Sequence, residues 1–117
     1  EAIEKSDNTL ITTQNKICLP IINRIYKKMR NGIKFDAIKV CDTLIIDGHH
    51  RYISSILTKI ELDQTKSYKT SATIEYEWVD VEFVEEEWDT KHKIKRLNEL
   101  DAEFNNISLE KLIEMTK

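Results

Sequence analysis

At 117 residues, with 40% hydrophobic and 33% charged residues, two Gly and a single Pro, the chain has room for one domain with a modest core. That composition excludes a linker or low-complexity tail, and no stretch reaches the roughly 18 apolar residues of a membrane span. The net charge of −3 argues against indiscriminate adhesion to nucleic acid, yet the charge is unevenly spread. Residues 1–72 carry 12 Lys and Arg against 8 Asp and Glu, and residues 73–117 carry 6 against 13. Such an asymmetry suits a domain that offers one face to an anion, and solvated charge would produce it equally well.

The opening Glu1-Ala2-Ile3-Glu4-Lys5 lacks the basic and then apolar layout of a signal peptide. Because the first residue is not Met, the expectation is an excised piece, the end of a longer polypeptide with its own export signal. The β-branched, apolar residues 10–13 predict a short first strand, followed by a polar connection over 14–16. Pro20 suits a first helical turn, and Ile21, Ile22, Ile25, Tyr26 and Met29 form one helical face that ends at Asn31-Gly32. The opposite face, with Arg24, Lys27, Lys28 and Arg30, reads as a solvated basic face, with anion contact through Arg24, Lys27 and Lys28 as the functional alternative. Cys18 and Cys41 sit in apolar runs without metal-ligand spacing, which predicts core thiols.

Residues 35–40 and 44–46 are β-rich runs separated by Cys41-Asp42-Thr43, the pattern of a tight hairpin. After Asp47-Gly48 the period switches. Tyr52, Ile53, Ile56, Leu57 and Ile60 recur at three and four, so a helix is expected over about 49–59. Residues 61–71 read as a loop. Residues 73–84 predict a long strand in which Ile74, Tyr76 and Trp78 alternate before the phase flips to Val79, Val81 and Phe83, with a bulge near Trp78-Val79. Trp78 and Trp88 are expected in the core, and His92 in solvent. Asp89 or Thr90 caps a helix carrying Ile94, Leu97, Leu100 and Phe104, Asn105-Asn106 interrupts it, and Ser108 caps a last helix. The class is α+β: one domain over 1–117, a small mixed sheet with packed helices in 10–84 and a helical C-terminal extension in 89–117.

The segment Asp47-Gly48-His49-His50-Arg51-Tyr52 carries the chemistry. A strand that runs through Asp-Gly straight into a helix aims the first unpaired helical N–H groups at one spot, and such a spot attracts anions. Gly48 permits the sharp turn and a close ligand approach. Arg51 supplies a fork for phosphate, and a histidine exchanges protons near neutral pH. Alone, His49 reads as a cap and Arg51 as half of a routine ion pair. Three adjacent cationic or cationisable side chains at a helix N-terminus nevertheless oppose the helix dipole, and a bound anion offsets that cost.

The order of helix, hairpin strands, Asp47-Gly48-x-His50-Arg51 box and second helix resembles the ParB N-terminal and sulfiredoxin-like superfamily over about residues 10–84. The resemblance implies a phosphate-handling site, since members bind CTP or ATP, phosphorylate small substrates such as free serine, or are described as nucleases. The chain departs from the ParB partition proteins, whose box is Gly-Glu-Arg-Arg and which continue into a helix-turn-helix domain. It departs from sulfiredoxin because His replaces the catalytic Cys of the box. The first expectation is therefore a phosphodiester-cleaving nuclease, a toxin domain of a bacterial conflict system acting on RNA or DNA. His50 or His49 is its general acid or base, Gly48, His49 and Arg51 hold phosphate, and Asp47 orients a histidine or helps hold a metal. A cognate immunity protein and delivery into a bacterial cytoplasm as part of a larger secreted protein follow from that reading. The second expectation is a nucleotide-binding domain or ATP- or ADP-dependent kinase with Mg²⁺, its base drawn from Asp36, Asp42 or Asp47. The third is a non-catalytic nucleic-acid-binding module.

Overall fold

The computed structural model describes residues 10–117; the protein is an α+β domain of four helices and two small sheets. Its elements are β1 (Lys16–Cys18), α1 (Leu19–Arg30), β2 (Ile38–Cys41), β3 (Leu44–Asp47), α2 (His49–Thr58), β4 (Gln64–Lys66), β5 (Glu82–Val84), α3 (Lys91–Phe104) and α4 (Leu109–Met115).

The helices follow their sequence signals. Pro20 lies in the first turn of α1, Thr90 caps α3 by accepting the Lys93 N–H, and Ser108 caps α4 by accepting the Lys111 N–H. Asn106 takes the left-handed conformation (φ 56°) that breaks the chain between α3 and α4. The hairpin also forms as expected: β2 and β3 pair antiparallel, and Asp42 adopts φ 54° at the turn between them.

The strands differ from expectation where pairing partners, not local pattern, decide. Residues 10–13 form only isolated bridges, Ile11 to Leu44 and Thr12 to Tyr76, while the first true strand is β1 within and beyond the expected connection. The expected loop 61–71 contains β4, which pairs parallel with the open edge of β2 to give a mixed sheet of order β3-β2-β4. The expected long strand 73–84 is replaced by a 3₁₀ turn at Trp78–Asp80 and the short β5, which pairs parallel with β1. The phase flip at Trp78-Val79 is absorbed by a helical turn instead of a bulge.

Three apolar clusters hold these elements. Ile17, Ile22, Ile53 and Val81 join β1, α1 and α2. Ile38, Val40, Ile45 and Tyr52 seat α2 on the three-stranded sheet, with Ile56 and Trp78 packed against both clusters. Ile33, Ala102 and Leu112 fasten α3 and α4 to the α1–β2 connection. Two hydrogen bonds of Asn105 with the backbone of Lys34, at 2.6 and 3.0 Å, close that third contact.

The basic face of α1 is not simply solvated. Lys28 is buried, and its Nζ donates to Asp101 Oδ2 at 2.7 Å, because α3 lies over it. Arg24 is bound by Glu87 and Asp89, and only Lys27 and Arg30 remain exposed. Cys18 is fully buried as expected, whereas Cys41 is half-buried. Trp78 is half-buried in the core, but Trp88 is 42% exposed, against expectation; His92 is exposed as expected.

Candidate functional site

The box forms the junction of β3 and α2. Asp47 ends the strand, Gly48 takes φ 97°, and α2 begins at His49. The first hydrogen bond of the helix runs from the Tyr52 N–H to the Gly48 carbonyl at 2.9 Å. The N–H groups of His49, His50 and Arg51 have no acceptor among the described residues, as a helix start requires. Gly48 is also needed for space: a Cβ there would lie 2.6 Å from Ile38 Cγ2 and 2.9 Å from Arg51 Nη2.

The two histidines diverge. His49 is 5% exposed, and its Nε2 accepts the Thr13 N–H at 3.1 Å. His50 is half-buried, and its Nε2 accepts the Cys18 N–H at 3.0 Å. A ring nitrogen that accepts an N–H has no proton of its own, so each neutral ring carries its proton on Nδ1. Burial lowers the pKa of His49 to about 4, the neighbouring His50 adds to the fall, and Asp47 opposes it. Burial also lowers His50, with Asp89 opposing and Arg24 assisting. Both imidazoles are therefore neutral near pH 7. Proton uptake at either Nε2 would first require a backbone hydrogen bond to open.

Arg51 braces the junction. Its Nη1 donates to the carbonyls of Asp36 and Ala37 at 3.0 and 3.3 Å, and its Nη2 lies 3.8 Å from Asp47 Oδ2. Asp47 keeps a side chain that is 65% exposed, so its carboxylate is open to a ligand.

This junction opens on a cleft of about 940 Å³ between α1, the start of α2 and α3. Gly48, His49, His50 and Arg51 form one end, and Ile21, Ile25, Ile94, Leu97 and Phe104 supply an apolar wall. Trp88 stands beside the junction, edge-on to His50 with ring centroids 5.5 Å apart. The structure thus brings Asp47, Gly48, His49, His50 and Arg51 to one cleft, joined by Arg24, Lys28 and Asp36. Lys27 is exposed elsewhere, and Asp42 occupies the hairpin turn at the other end of β3.

The cations of the cleft are largely neutralised. Arg24 donates to both Glu87 and Asp89, and that hydrogen bond holds the Glu87 carboxyl below its usual range. Lys28 meets Asp101, and Lys93 meets Asp89 at 3.2 Å. Asp89, Lys93 and Trp88 had no short-range signal as site residues, because their positions depend on pairing between segments more than sixty residues apart. Among the described residues no three His, Cys, Asp or Glu side chains are grouped to hold a metal ion. Among the described residues Asp47 therefore lacks the companions that a protein-built divalent site needs. No helix is long and apolar enough to cross a membrane among the described residues. Compared with protein families, curated proteins and solved structures, the chain matches none.

Proposed function

We propose that the domain is a phosphodiester-cleaving enzyme that takes a phosphate at the start of α2, with RNA as the preferred substrate. The observation that carries this reading is the convergence of three unpaired N–H groups, from His49 to Arg51, on a large cleft that the open carboxylate of Asp47 also lines. The resemblance of the Asp47-Gly48-x-His50-Arg51 box to phosphate-handling proteins points the same way.

In this reading the phosphate sits on the helix N–H groups, and the neutral His50 ring offers hydrogen-bond donation from Nδ1. Because Nε2 of both histidines already accepts a backbone N–H, the proton acceptor left in the box is Asp47. Asp47 takes the proton of an attacking 2′-hydroxyl, the 2′-oxygen bonds to phosphorus, and the bond to the 5′-oxygen breaks. The leaving oxygen takes its proton from water, and a 2′,3′-cyclic phosphate remains. Arg51, fixed by two carbonyls, keeps the junction in shape and its charge close to the reacting centre. His49 holds the segment around Thr13.

The biological setting in this proposal is a bacterial conflict toxin, carried on a larger secreted protein and restrained by a cognate immunity protein. The test is incubation with transfer RNA, ribosomal RNA and plasmid DNA, with Mg²⁺ and with EDTA, beside Asp47→Asn and His50→Ala shown to be folded by circular dichroism. RNA cleavage that persists in EDTA and falls about 10²- to 10⁴-fold in Asp47→Asn supports the reading. Undiminished cleavage by Asp47→Asn refutes it.

A second reading is nucleotide binding or phosphotransfer, favoured by the size of the cleft, about 940 Å³, which suits a small-molecule ligand. Asp36 and Asp47 are its candidate bases, since both line the cleft. Calorimetry with ATP, ADP and CTP in Mg²⁺ tests it, and an absence of heat removes it.

A further inference from the structure

The two tryptophans have opposite surroundings. Trp78 is spent in the core: its Nε1–H donates to the Leu10 carbonyl at 2.7 Å, and its ring stacks on Tyr52. Trp88 is 42% exposed, its indole N–H has no acceptor among the described residues, and it lines the same cleft as Gly48, His50 and Arg51. At 42% exposure the indole still buries part of its area, and what sets it apart is its place: edge-on to His50 at the start of α2, in the lining of the cleft.

The side chain is presented on a rigid mount. Its neighbours on either side, Glu87 and Asp89, both accept from Arg24 Nη2, at 3.0 and 3.1 Å. The Asp89 side chain is 5% exposed and also meets Lys93, while the Cys18 thiol donates to the Glu86 carbonyl at 3.3 Å. Glu86, Glu87 and Asp89, the residues around Trp88, are thus tied to β1, α1 and α3. An aromatic surface fixed in this way loses little further freedom when a ligand lands on it. The same ion pairs neutralise the acidic neighbours, which would otherwise repel an anion.

We infer that Trp88 is a stacking platform for a nucleobase, and that the ligand of the cleft is an unpaired nucleotide unit with its phosphate at the start of α2. The inference rests on the phosphate reading above and adds the substrate class. Every base has a π-face that an indole can cover, and in a duplex those faces are already stacked. Trp88 therefore selects single strands or free nucleotides over duplexes. Aliphatic residues of the α1–α3 wall would cover a base but cannot replace the aromatic face.

The test is binding of three probes to Trp88→Leu and Trp88→Phe beside the wild type, by fluorescence anisotropy or tryptophan quenching. The probes are a short single-stranded RNA, the duplex of the same sequence, and a nucleoside monophosphate. Expected is a loss of about 5- to 150-fold in single-strand or mononucleotide affinity for Trp88→Leu, near-wild-type affinity for Trp88→Phe, and weak duplex binding throughout. Which of the first two probes binds identifies the source of the base. Equal single-strand and mononucleotide affinity in Trp88→Leu and wild type overturns the inference, and continued RNA cleavage by that variant leaves the nuclease reading standing. Conversely, Trp88-dependent binding without any cleavage retains the platform and removes the nuclease. A folded wild type that binds none of the probes overturns both.

Discussion

Replacing Gly48 by Ala tests the junction on which the site is built. Gly48 has φ 97°, and an L-residue held with positive φ costs about 1 kcal/mol or somewhat more. Its new Cβ would also lie 2.6 Å from Ile38 Cγ2, and Ile38 is 1% exposed in the centre of the sheet-facing cluster, so it has little room to retreat. Overpacking of that kind costs a further ~1–3 kcal/mol, giving about 2–4 kcal/mol in total. With an unfolding entropy of ~2.1 cal/mol/K per residue, the melting temperature should fall by about 8–16 °C. Gly32→Ala is the internal control. Gly32 has a similar φ of 86°, but a Cβ there meets nothing within 4 Å, so only the backbone cost applies and the fall should be about 4 °C. Thermal unfolding of both variants by circular dichroism measures the two. If the drops are equal, the close approach of Ile38 to Gly48 is not what reserves this position for glycine.

Two further expectations concern buried polar groups. His49 has a folded pKa of about 4 against an ordinary value near 6.5, so between those pH values the unfolded chain binds more protons. The stabilisation is complete above about pH 6.5 and is lost as pH falls toward 4, with an upper bound of ~3 kcal/mol at ~1.36 kcal/mol per pH unit. Urea midpoints from pH 4 to 8 should show this slope, and His49→Gln, whose amide oxygen can still accept the Thr13 N–H, should flatten it; an unchanged slope contradicts the assignment. For the buried pair of Lys28 and Asp101, Asp101→Ala strands an ammonium under α3 and should destabilise by ~3–5 kcal/mol, whereas Lys28→Met combined with Asp101→Leu, which removes both charges, should be close to neutral. Denaturant titration distinguishes them, and equal effects would mean that Lys28 is hydrated in spite of its burial.

The helices, their caps and the Asp47-to-Arg51 junction were legible in the sequence because each is written in neighbouring residues. Pro20, Thr90 and Ser108 act on groups within a turn of themselves, and the switch of period after Gly48 marks α2 directly. The hairpin is equally local, since Asp42 sits between two runs of β-branched residues.

Tertiary structure decided the rest. All three residues of β4 are exposed, so no apolar alternation could announce it; it exists because the edge of β2 offers unpaired backbone groups, taken through Ile38 to Asp63 and Ser67 to Val40. The protonation of the site was likewise beyond local reading, since Thr13 and Cys18 reach the imidazoles across 36 and 32 residues. Arg24 and Lys28 read as a free basic face only until Glu87, Asp89 and Asp101 arrive from the acidic half of the chain. Local periodicity states which face of an element turns inward, but the partner that meets each polar group is set by how distant segments pack.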